Sequence, residues 1–581
     1  MMTFSEKRLA RFSQEIARLI QSREIRTASE LNVAKLRVAR HTQVLDLPTN
    51  PDILSMLENP SPQVKAFLSI KPVRTLSGVS PLAIMGAPIA CAHGKCTFCP
   101  GGPGSVFGDV PQSYTGNEPA SMRAVRNDFD PYLQTFNRLA QYIVLGHCPE
   151  KVEFIFMGGT FPSFPGEYRC SFAGFAFKAL NDFSDAFFFN NELNWRSFNE
   201  FFEFPHPFGE KPFQERVRAR ILALKGFDSP SLEREHARNE SSIIRGVGLC
   251  IETKPDWCLQ AQVNDMLFLG CTRIELGVQC LDDEILRKTN RGHSLEQSIE
   301  ATQLAKDAFL KVGYHMMPGL PGSSLESDMK MFEELFSNPS FKPDALKIYP
   351  CTVVKGTPLY EQWVQGAFTP ISVEDAVRVI VHAKKFIPEW CRIHRIQRDI
   401  PSPLISAGVN RTNLRQYVEA ALRAQRMECR CLRCREAGLA AKSNPVEILS
   451  GDLELRVRYY SASKGLEAFI SLEDSLNDVV LGFCRVRLPF QCVRPEITPR
   501  SAGVRELHTF GRALSIDGVS EKRSFQHKGV GKMLMAEAER LAKEEWDCRK
   551  LVVISGVGVR PYYIQKLGYS RDGVYVSKRL E

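Results

Sequence analysis

Cys91, Cys96 and Cys99 lie in one run, Cys91-Ala-His-Gly-Lys-Cys96-Thr-Phe-Cys99-Pro-Gly-Gly. Three thiolates at a CxxxxCxxC spacing inside one loop can hold three corners of a cubane iron–sulfur cluster. The fourth iron is then left open to a small-molecule ligand. Soft thiolate donors select iron–sulfur clusters or zinc, and a site that keeps one position open is chemically active. A zinc knuckle short of a ligand and a chance grouping in a cysteine-rich chain are the competing readings.

A second triplet, Cys429-Arg-Cys431-Leu-Arg-Cys434, can hold three corners of a zinc tetrahedron, with the fourth ligand not visible in the sequence. Free thiols in a basic linker are the alternative there. Near the C-terminus, Gln526-His-Lys-Gly529-Val530-Gly531-Lys532 precedes an apolar-periodic helix carrying Met533, Leu534, Ala538 and Leu541. A Q-x-x-G-x-G turn into a helix aims backbone N–H groups and the positive helix end at an anion, pyrophosphate being the natural guest.

These residues need elements to position them. Short apolar strands expected at 152–157, 246–251, 273–277, 312–316 and 345–349 alternate with helical stretches such as 295–308 and 325–336. That rhythm predicts an α/β fold with a parallel sheet forming a full or partial barrel. Glycine-bearing strand ends recur along it, at Met157-Gly158-Gly159-Thr160-Phe161, Gly277-Val278-Gln279 and Met317-Pro-Gly319-Leu-Pro-Gly322. C-terminal strand ends carry the site in such folds, and glycine lets the backbone approach a ligand closely. The Phe-rich stretch 171–212 breaks the rhythm and reads as an insertion or cap over the barrel. After residue 446 the pattern turns antiparallel (454–460, 467–472, 478–488, 505–515), followed by a helix at 531–545, a strand at 551–555 and a short helix at 562–567.

A chain of 581 residues suggests two to four domains. The expected division is a basic helical segment at 1–72, the barrel at 73–400, a basic cysteine-bearing linker at 401–445 and a second α/β domain at 446–581. No apolar run is long enough to span a bilayer and the N-terminus lacks a secretion signal, so a cytoplasmic protein with no membrane contact is expected. Seventeen cysteines without a small-scaffold rhythm fit metal ligands or buried thiols rather than disulfides. The net charge of +9 is uneven. Nine Lys/Arg against four Glu in residues 1–45, and ten Arg against four acids in 387–435, suggest a polyanion partner; solvated helix faces are the bland alternative.

The run CAHGKCTFCPGGPGSVFGDVPQSYTGNEPASMRAVRNDFDPYLQT resembles the radical S-adenosylmethionine domain of the Elongator catalytic subunit family. The likeness continues through Lys151-Val-Glu-Phe-Ile-Phe-Met-Gly-Gly-Thr-Phe, Ile251-Glu-Thr-Lys-Pro-Asp-Trp, Glu275-Leu-Gly-Val-Gln, Met317-Pro-Gly-Leu-Pro-Gly and Leu346-Lys-Ile-Tyr-Pro. The C-terminal order of strands, glycine turn and Tyr562-Tyr563 resembles the GNAT acetyltransferase fold, as in the same family's stand-alone archaeal and bacterial members. The resemblance implies a radical SAM partial TIM-type barrel followed by a GNAT domain.

It further implies a 4Fe-4S cluster on Cys91, Cys96 and Cys99, with S-adenosylmethionine on the open iron and Gly158 and Gly159 near its methionine end. Acetyl-CoA would meet the backbone of Glu506, Leu507, His508 and Thr509 and place its pyrophosphate on Val530, Gly531 and Lys532. Lys151 and Tyr563, with Tyr562 beside it, would lie at the thioester. A structural zinc on Cys429, Cys431 and Cys434 is implied too. Pro561, where a polar residue is common, departs from the pattern.

The activity implied is carboxymethylation of C5 of the wobble uridine of tRNA, on the anticodon stem-loop, with the 423–435 run facing phosphates and the second domain docked against the barrel mouth. Two other readings are a protein lysine acetyltransferase with a merely structural first domain, for which Glu506 is the weak candidate base, and a non-catalytic tRNA-binding scaffold. A homodimer is left open.

Overall fold

The computed structural model describes residues 4–58, 60–70, 78–147, 149–204, 211–443, 453–510 and 529–581. Its first sheet has seven strands, β1 (Ser80–Met85), β2 (Lys151–Met157), β3 (Arg245–Thr253), β4 (Arg273–Gln279), β5 (Lys311–Met316), β6 (Ala345–Ile348) and β7 (Arg392–Ile396), paired in that order. All six pairings are parallel. β1 and β7 are edges and do not pair with each other, so the barrel is partial.

β2 shows how the sequence builds the wall. Val152, Phe154 and Phe156 are fully buried against the outer helices, while Lys151, Glu153, Ile155 and Met157 alternate with them and face the lumen. A closed eight-stranded barrel fills its interior with branched apolar side chains. This one lines its lumen with Glu153, Arg273, Glu275, His315 and Lys347.

The Phe-rich stretch is not a cap. Gly166–Phe187 is a helix of 22 residues that covers the outside of the sheet, where Phe172 meets Phe156 (ring centroids 5.1 Å) and Phe177 meets Phe154 (5.4 Å). Trp195–Phe202 adds a second helix whose Phe198 and Phe202 join the same core. Aromatic residues lie on several faces of the long helix because it is buried between the sheet and the neighbouring helices, which hides any amphipathic period.

The N-terminal basic segment is helical, with two helices, Phe4–Gln21 and Ala28–Thr42, separated where Thr27 and Glu30 form a capping box. With the short helices Asn50–Ser55 and Pro62–Leu68 they enclose a separate core of Phe12, Ile16, Ile20, Leu31, Val38 and Leu54.

The second sheet comprises β8 (Leu453–Ala462), β9 (Gly465–Asp474), β10 (Val479–Leu488), β11 (Ser501–Thr509), β12 (Lys550–Val553), β13 (Ser570–Asp572) and β14 (Tyr575–Arg579), in the order β8-β9-β10-β11-β12-β14-β13. Only β11 and β12 run parallel, and their pairing covers just 501–504 with 550–553. Beyond Val504 the two strands part, and β11 continues through Thr509 paired with β10 alone.

The second domain does not sit at the barrel mouth. It packs on the floor, at the N-terminal strand ends: Glu506 binds Lys311 at 3.1 Å, Arg505 donates to Leu310 O at 2.9 Å, Arg485 donates to Trp390 O at 2.6 Å, and Tyr575 donates to Ala308 O at 3.0 Å. The cysteine loop follows β1 at the opposite end.

Candidate active site

The loop after β1 presents the three thiols. Ser113 N donates to Cys99 Sγ at 3.0 Å, Arg291 Nη1 reaches Cys96 Sγ at 3.6 Å, and His93 Nε2 lies 3.2 Å from the same sulfur. Gly277 makes room for Arg291, since a side chain there would collide with the guanidinium. Burial pushes the Cys99 thiol up to about 11, with Cys96 adding to it, and burial raises Cys91 as well. Thiolates at these positions therefore need a strong local cation, which a bound metal supplies. Among the described residues, these thiols are not one of the groups whose donors all lie within 4.8 Å and could grip a single ion. A wider spacing suits a cubane, whose irons occupy separate corners. The donor set fits an iron–sulfur cluster.

The two glycines after β2 have different jobs. Gly159 (φ +79°) lines the cavity, and a Cβ on it would lie 3.7 Å from Cys91 Sγ. Gly158 (φ +124°) faces the backbone of Gly86, 3.2 Å from where its Cβ would stand. It seats against the β1 end.

Below the cysteines, ionisable groups run down the lumen. Tyr114 Oη donates to Glu252 at 3.1 Å, and Lys347 bridges Glu252 (2.8 Å) and Glu275. Glu275 also takes Arg273 (2.8 Å) and His315 (3.0 Å), and Arg273 reaches Glu153 at 3.2 Å. Burial opposes the charge on Glu275, but Lys347 and Arg273 outweigh it and hold the carboxyl well below its usual range. Glu252, Glu275 and His315 converge closely enough for a metal, but the Lys347 ammonium already supplies the cation.

At the floor, residues 506–509 line the opening between β11 and β12. Gly529 (φ 85°) caps the helix Val530–Arg540, whose first residues Val530, Gly531 and Lys532 face the same space. Gly531 sits under Tyr562: a Cβ on it would come 2.9 Å from the Tyr562 hydroxyl. Tyr563 is buried beside Tyr562 (ring centroids 5.4 Å), and burial pushes its phenol well up. Lys151, at the start of β2, lines the cavity, and burial pulls its ammonium down to about 8 against the opposing charge of Glu150. His508 stacks on Phe483 (5.9 Å). Gln526 and the two residues after it lie outside the described residues.

Glu506 cannot serve as a base. Burial pushes its carboxyl up, but Lys311 and Arg485 outweigh that and bring it down to about 2, and both cations are bonded to it.

One cavity of about 1190 Å³ includes all of these features, from Cys91, Cys96 and Cys99 through Glu275 and Lys347 to Lys151, Leu507, Val530 and Tyr562. A radical SAM superfamily model matches residues 89–335, a radical SAM C-terminal domain model 343–424 and an acetyltransferase (GNAT) family model 441–569. The tRNA uridine(34) acetyltransferase of Methanocaldococcus infernus is 45% identical over 534 residues, 92% of either chain. Elongator complex protein 3 of Dictyostelium discoideum is 39% identical, covering 99% of this chain and 96% of its own. The solved structure of Methanocaldococcus infernus Elp3 with residues 1–46 deleted matches with a TM-score of 0.70 at 40% identity, covering 87% of this chain and 100% of that one. The chain belongs to the Elongator catalytic subunit family.

Within this family's two-domain frame, the linker crosses the barrel floor. Cys429, Cys431 and Cys434 hold their sulfurs within 4.8 Å of one another, and Lys384 Nζ donates to Cys429 at 3.0 Å. Three thiols this close together could hold one metal ion. The arginines around them do not all face outward. Arg435 is buried against Glu473 (2.6 Å), and Arg430 pairs with Asp478 (2.9 Å) and Glu389 (2.7 Å); Arg411, Arg423 and Arg426 are exposed. The lumen residues Glu153, Arg273 and Lys347 were not singled out from the sequence. Their signal was charge at alternate positions of otherwise apolar strands, as in Arg273-Ile-Glu275-Leu-Gly277.

Proposed function

We propose that this chain carboxymethylates C5 of the wobble uridine in tRNA, with the acetyl group of acetyl-CoA as the carbon donor. The observation that carries the reading is the single cavity lined both by the cysteine loop and by the GNAT cleft. The name of its Methanocaldococcus infernus relative, tRNA uridine(34) acetyltransferase, points to the same base.

A 4Fe-4S cluster on Cys91, Cys96 and Cys99 would supply the electron that cleaves S-adenosylmethionine and so provides a carbon radical. The chain's own residues do the rest. Val530, Gly531 and Lys532 offer the positive end of a helix to the CoA pyrophosphate. The backbone edge of Glu506, Leu507, His508 and Thr509, left without a β12 partner, takes the pantetheine arm. Lys151 and Tyr562 flank the thioester, with Tyr563 packed behind Tyr562. The partial barrel shields the reactive carbon from bulk water. In the net reaction, the acetyl methyl carbon would give one hydrogen atom to the 5′-deoxyadenosyl group of S-adenosylmethionine, which leaves as 5′-deoxyadenosine and methionine, and would bond to C5. The C5 hydrogen would leave as a proton, its electron replacing the one spent on cleaving S-adenosylmethionine, and water would release the CoA thiol to leave a carboxylate. The wobble base lies in an exposed anticodon loop and can be splayed into the cavity without melting a duplex. Exposed cations of the N-terminal helices, among them Arg11, Arg18, Arg37 and Arg40, would hold phosphate.

The test is anaerobic reconstitution of the full chain with iron and sulfide, incubation with S-adenosylmethionine, acetyl-CoA and tRNA, and mass analysis of the nucleosides. A carboxymethyl increment on the wobble uridine, dependent on both small molecules, is expected. An unmodified base with intact cluster would overturn the proposal. Protein lysine acetylation is disfavoured because Glu506, its candidate base, is tied up by Lys311 and Arg485.

A further inference from the structure

We propose that Lys254 acts on the cluster through His93, locking the imidazole so that Nε2–H is a standing hydrogen-bond donor to the Cys96 sulfur. The proposal rests on Cys91, Cys96 and Cys99 being the cluster ligands. His93 lies inside the cysteine loop, and both of its ring nitrogens are engaged. Lys254 Nζ is 2.8 Å from Nδ1, and Cys96 Sγ is 3.2 Å from Nε2. An ammonium has only protons to give. Nδ1 must therefore be the bare nitrogen, and the ring hydrogen must sit on Nε2, facing the sulfur.

The arrangement is built rather than incidental. Lys254 is 3% exposed, held at 3.2 Å by Asp256 and carried on the turn that follows β3. On the other side, Gly292 (φ +71°) packs so closely against His93 that any side chain there would collide with it. The cysteine loop is also tied to this segment by Asn290 Nδ2 donating to Lys95 O at 2.9 Å and by Thr97 N donating to Thr289 O at 3.0 Å. The neighbouring Arg291 points a second donor at Cys96, from 3.6 Å.

The three ligands are consequently unequal. Among the described residues, Cys96 receives His93 and Arg291, Cys99 receives the Ser113 N–H with the Ser113 hydroxyl at 3.9 Å, and Cys91 has the Thr160 hydroxyl at 3.7 Å. Reduction adds an electron that spreads onto the thiolate sulfurs, so a donor aimed at one of them stabilises the reduced state and raises the reduction potential. Lys254 is thus a positioning residue: it fixes the tautomer that makes His93 a donor.

The experiment is a redox titration, followed by electron paramagnetic resonance, of the anaerobically reconstituted full-length protein with iron content measured in each variant. His93→Leu should lower the midpoint potential by about 59 mV, a tenfold change in the reduced-to-oxidised ratio of a one-electron couple. His93→Gln keeps an N–H donor and should stay near the unsubstituted value. Lys254→Met should lower the potential in the native background and do much less in the His93→Leu background, because residues acting through one another are not additive.

An unchanged midpoint in His93→Leu at full iron content would overturn the proposal. So would an equal Lys254→Met effect in both backgrounds, which would mean a through-space charge. If His93→Leu takes up no cluster, restored uptake and potential in His93→Gln support the donor role, and failure of both variants means the ring matters only for packing. A native chain that takes up no cluster would instead overturn the ligand assignment itself.

Discussion

Arg505, on β11 of the second sheet, donates to Asp344 at the foot of β6 (Nη1–Oδ1 3.0 Å) and with the same guanidinium to Glu467 on β9 (2.9 Å). Arg487 repeats the device, linking Asp307 of the barrel (2.6 Å) to Glu467 (2.9 Å). Both arginines are fully buried, so the two domains share one low-dielectric ion network rather than a polar seam.

Removing one member of such a network leaves its partners charged and unpaired. Arg487→Met is expected to cost about 3–5 kcal/mol, read as a shift of the denaturant midpoint at unchanged slope. A fragment of residues 446–581 alone would expose Glu467 and Arg505 and is expected to lack a near-ultraviolet circular dichroism signature. A stable, cooperative fragment would show that the network is dispensable.

Cys96→Ala is expected to abolish release of 5′-deoxyadenosine from S-adenosylmethionine while tRNA affinity stays within about twofold. Thiolates hold the cluster, whereas phosphate affinity comes from Lys and Arg. Undiminished release would refute the ligand assignment.

Lys151 should titrate early. Its pKa is pulled from 10.5 to about 8 by burial. Between those values the folded chain binds fewer protons at this site than the unfolded chain, so raising the pH through that window favours the folded state. An amine-reactive probe read out by mass spectrometry should therefore label Lys151 with a midpoint near pH 8, ahead of surface lysines, and acetyl-CoA should protect it. Labelling that rises only in step with the exposed lysines would contradict the shift.

Deleting residues 1–45 is expected to weaken tRNA binding and flatten the dependence of log K on log salt, because fewer counterions are released. Lys35 contributes nothing to this, since its ammonium is buried on Pro48 O (2.9 Å) and Asn50 (2.7 Å). Fluorescence anisotropy at several salt concentrations gives the slope, and an unchanged slope would move the RNA contact elsewhere.

The parts of the fold written locally were legible in the sequence. The cysteine spacing marked the upper site, the apolar run 152–157 marked the strand β2, and the glycine turn before Val530 marked an anion-facing helix. The break between the first two helices is marked locally by Thr27 and Glu30, but was not singled out from the sequence. What could not be read was set by partners far apart in the chain. Docking on the floor depends on pairs such as Arg505 with Asp344, 161 residues away, which leave no local pattern. The helix Gly166–Phe187 was obscured for a different reason: burial on several sides erases the polar stripe from which a helix is usually recognised.

The floor docking of the second domain has a kinetic consequence. β2 is seven residues long, so at ~3.3 Å per residue the two ends of the barrel stand roughly 20 Å apart. On the proposed function, the thioester would enter below, between β11 and β12, and the nucleic acid above, so that neither would occlude the other's doorway. Their addition would then be random in order, and free CoA should compete with the thioester while leaving the apparent affinity for RNA untouched.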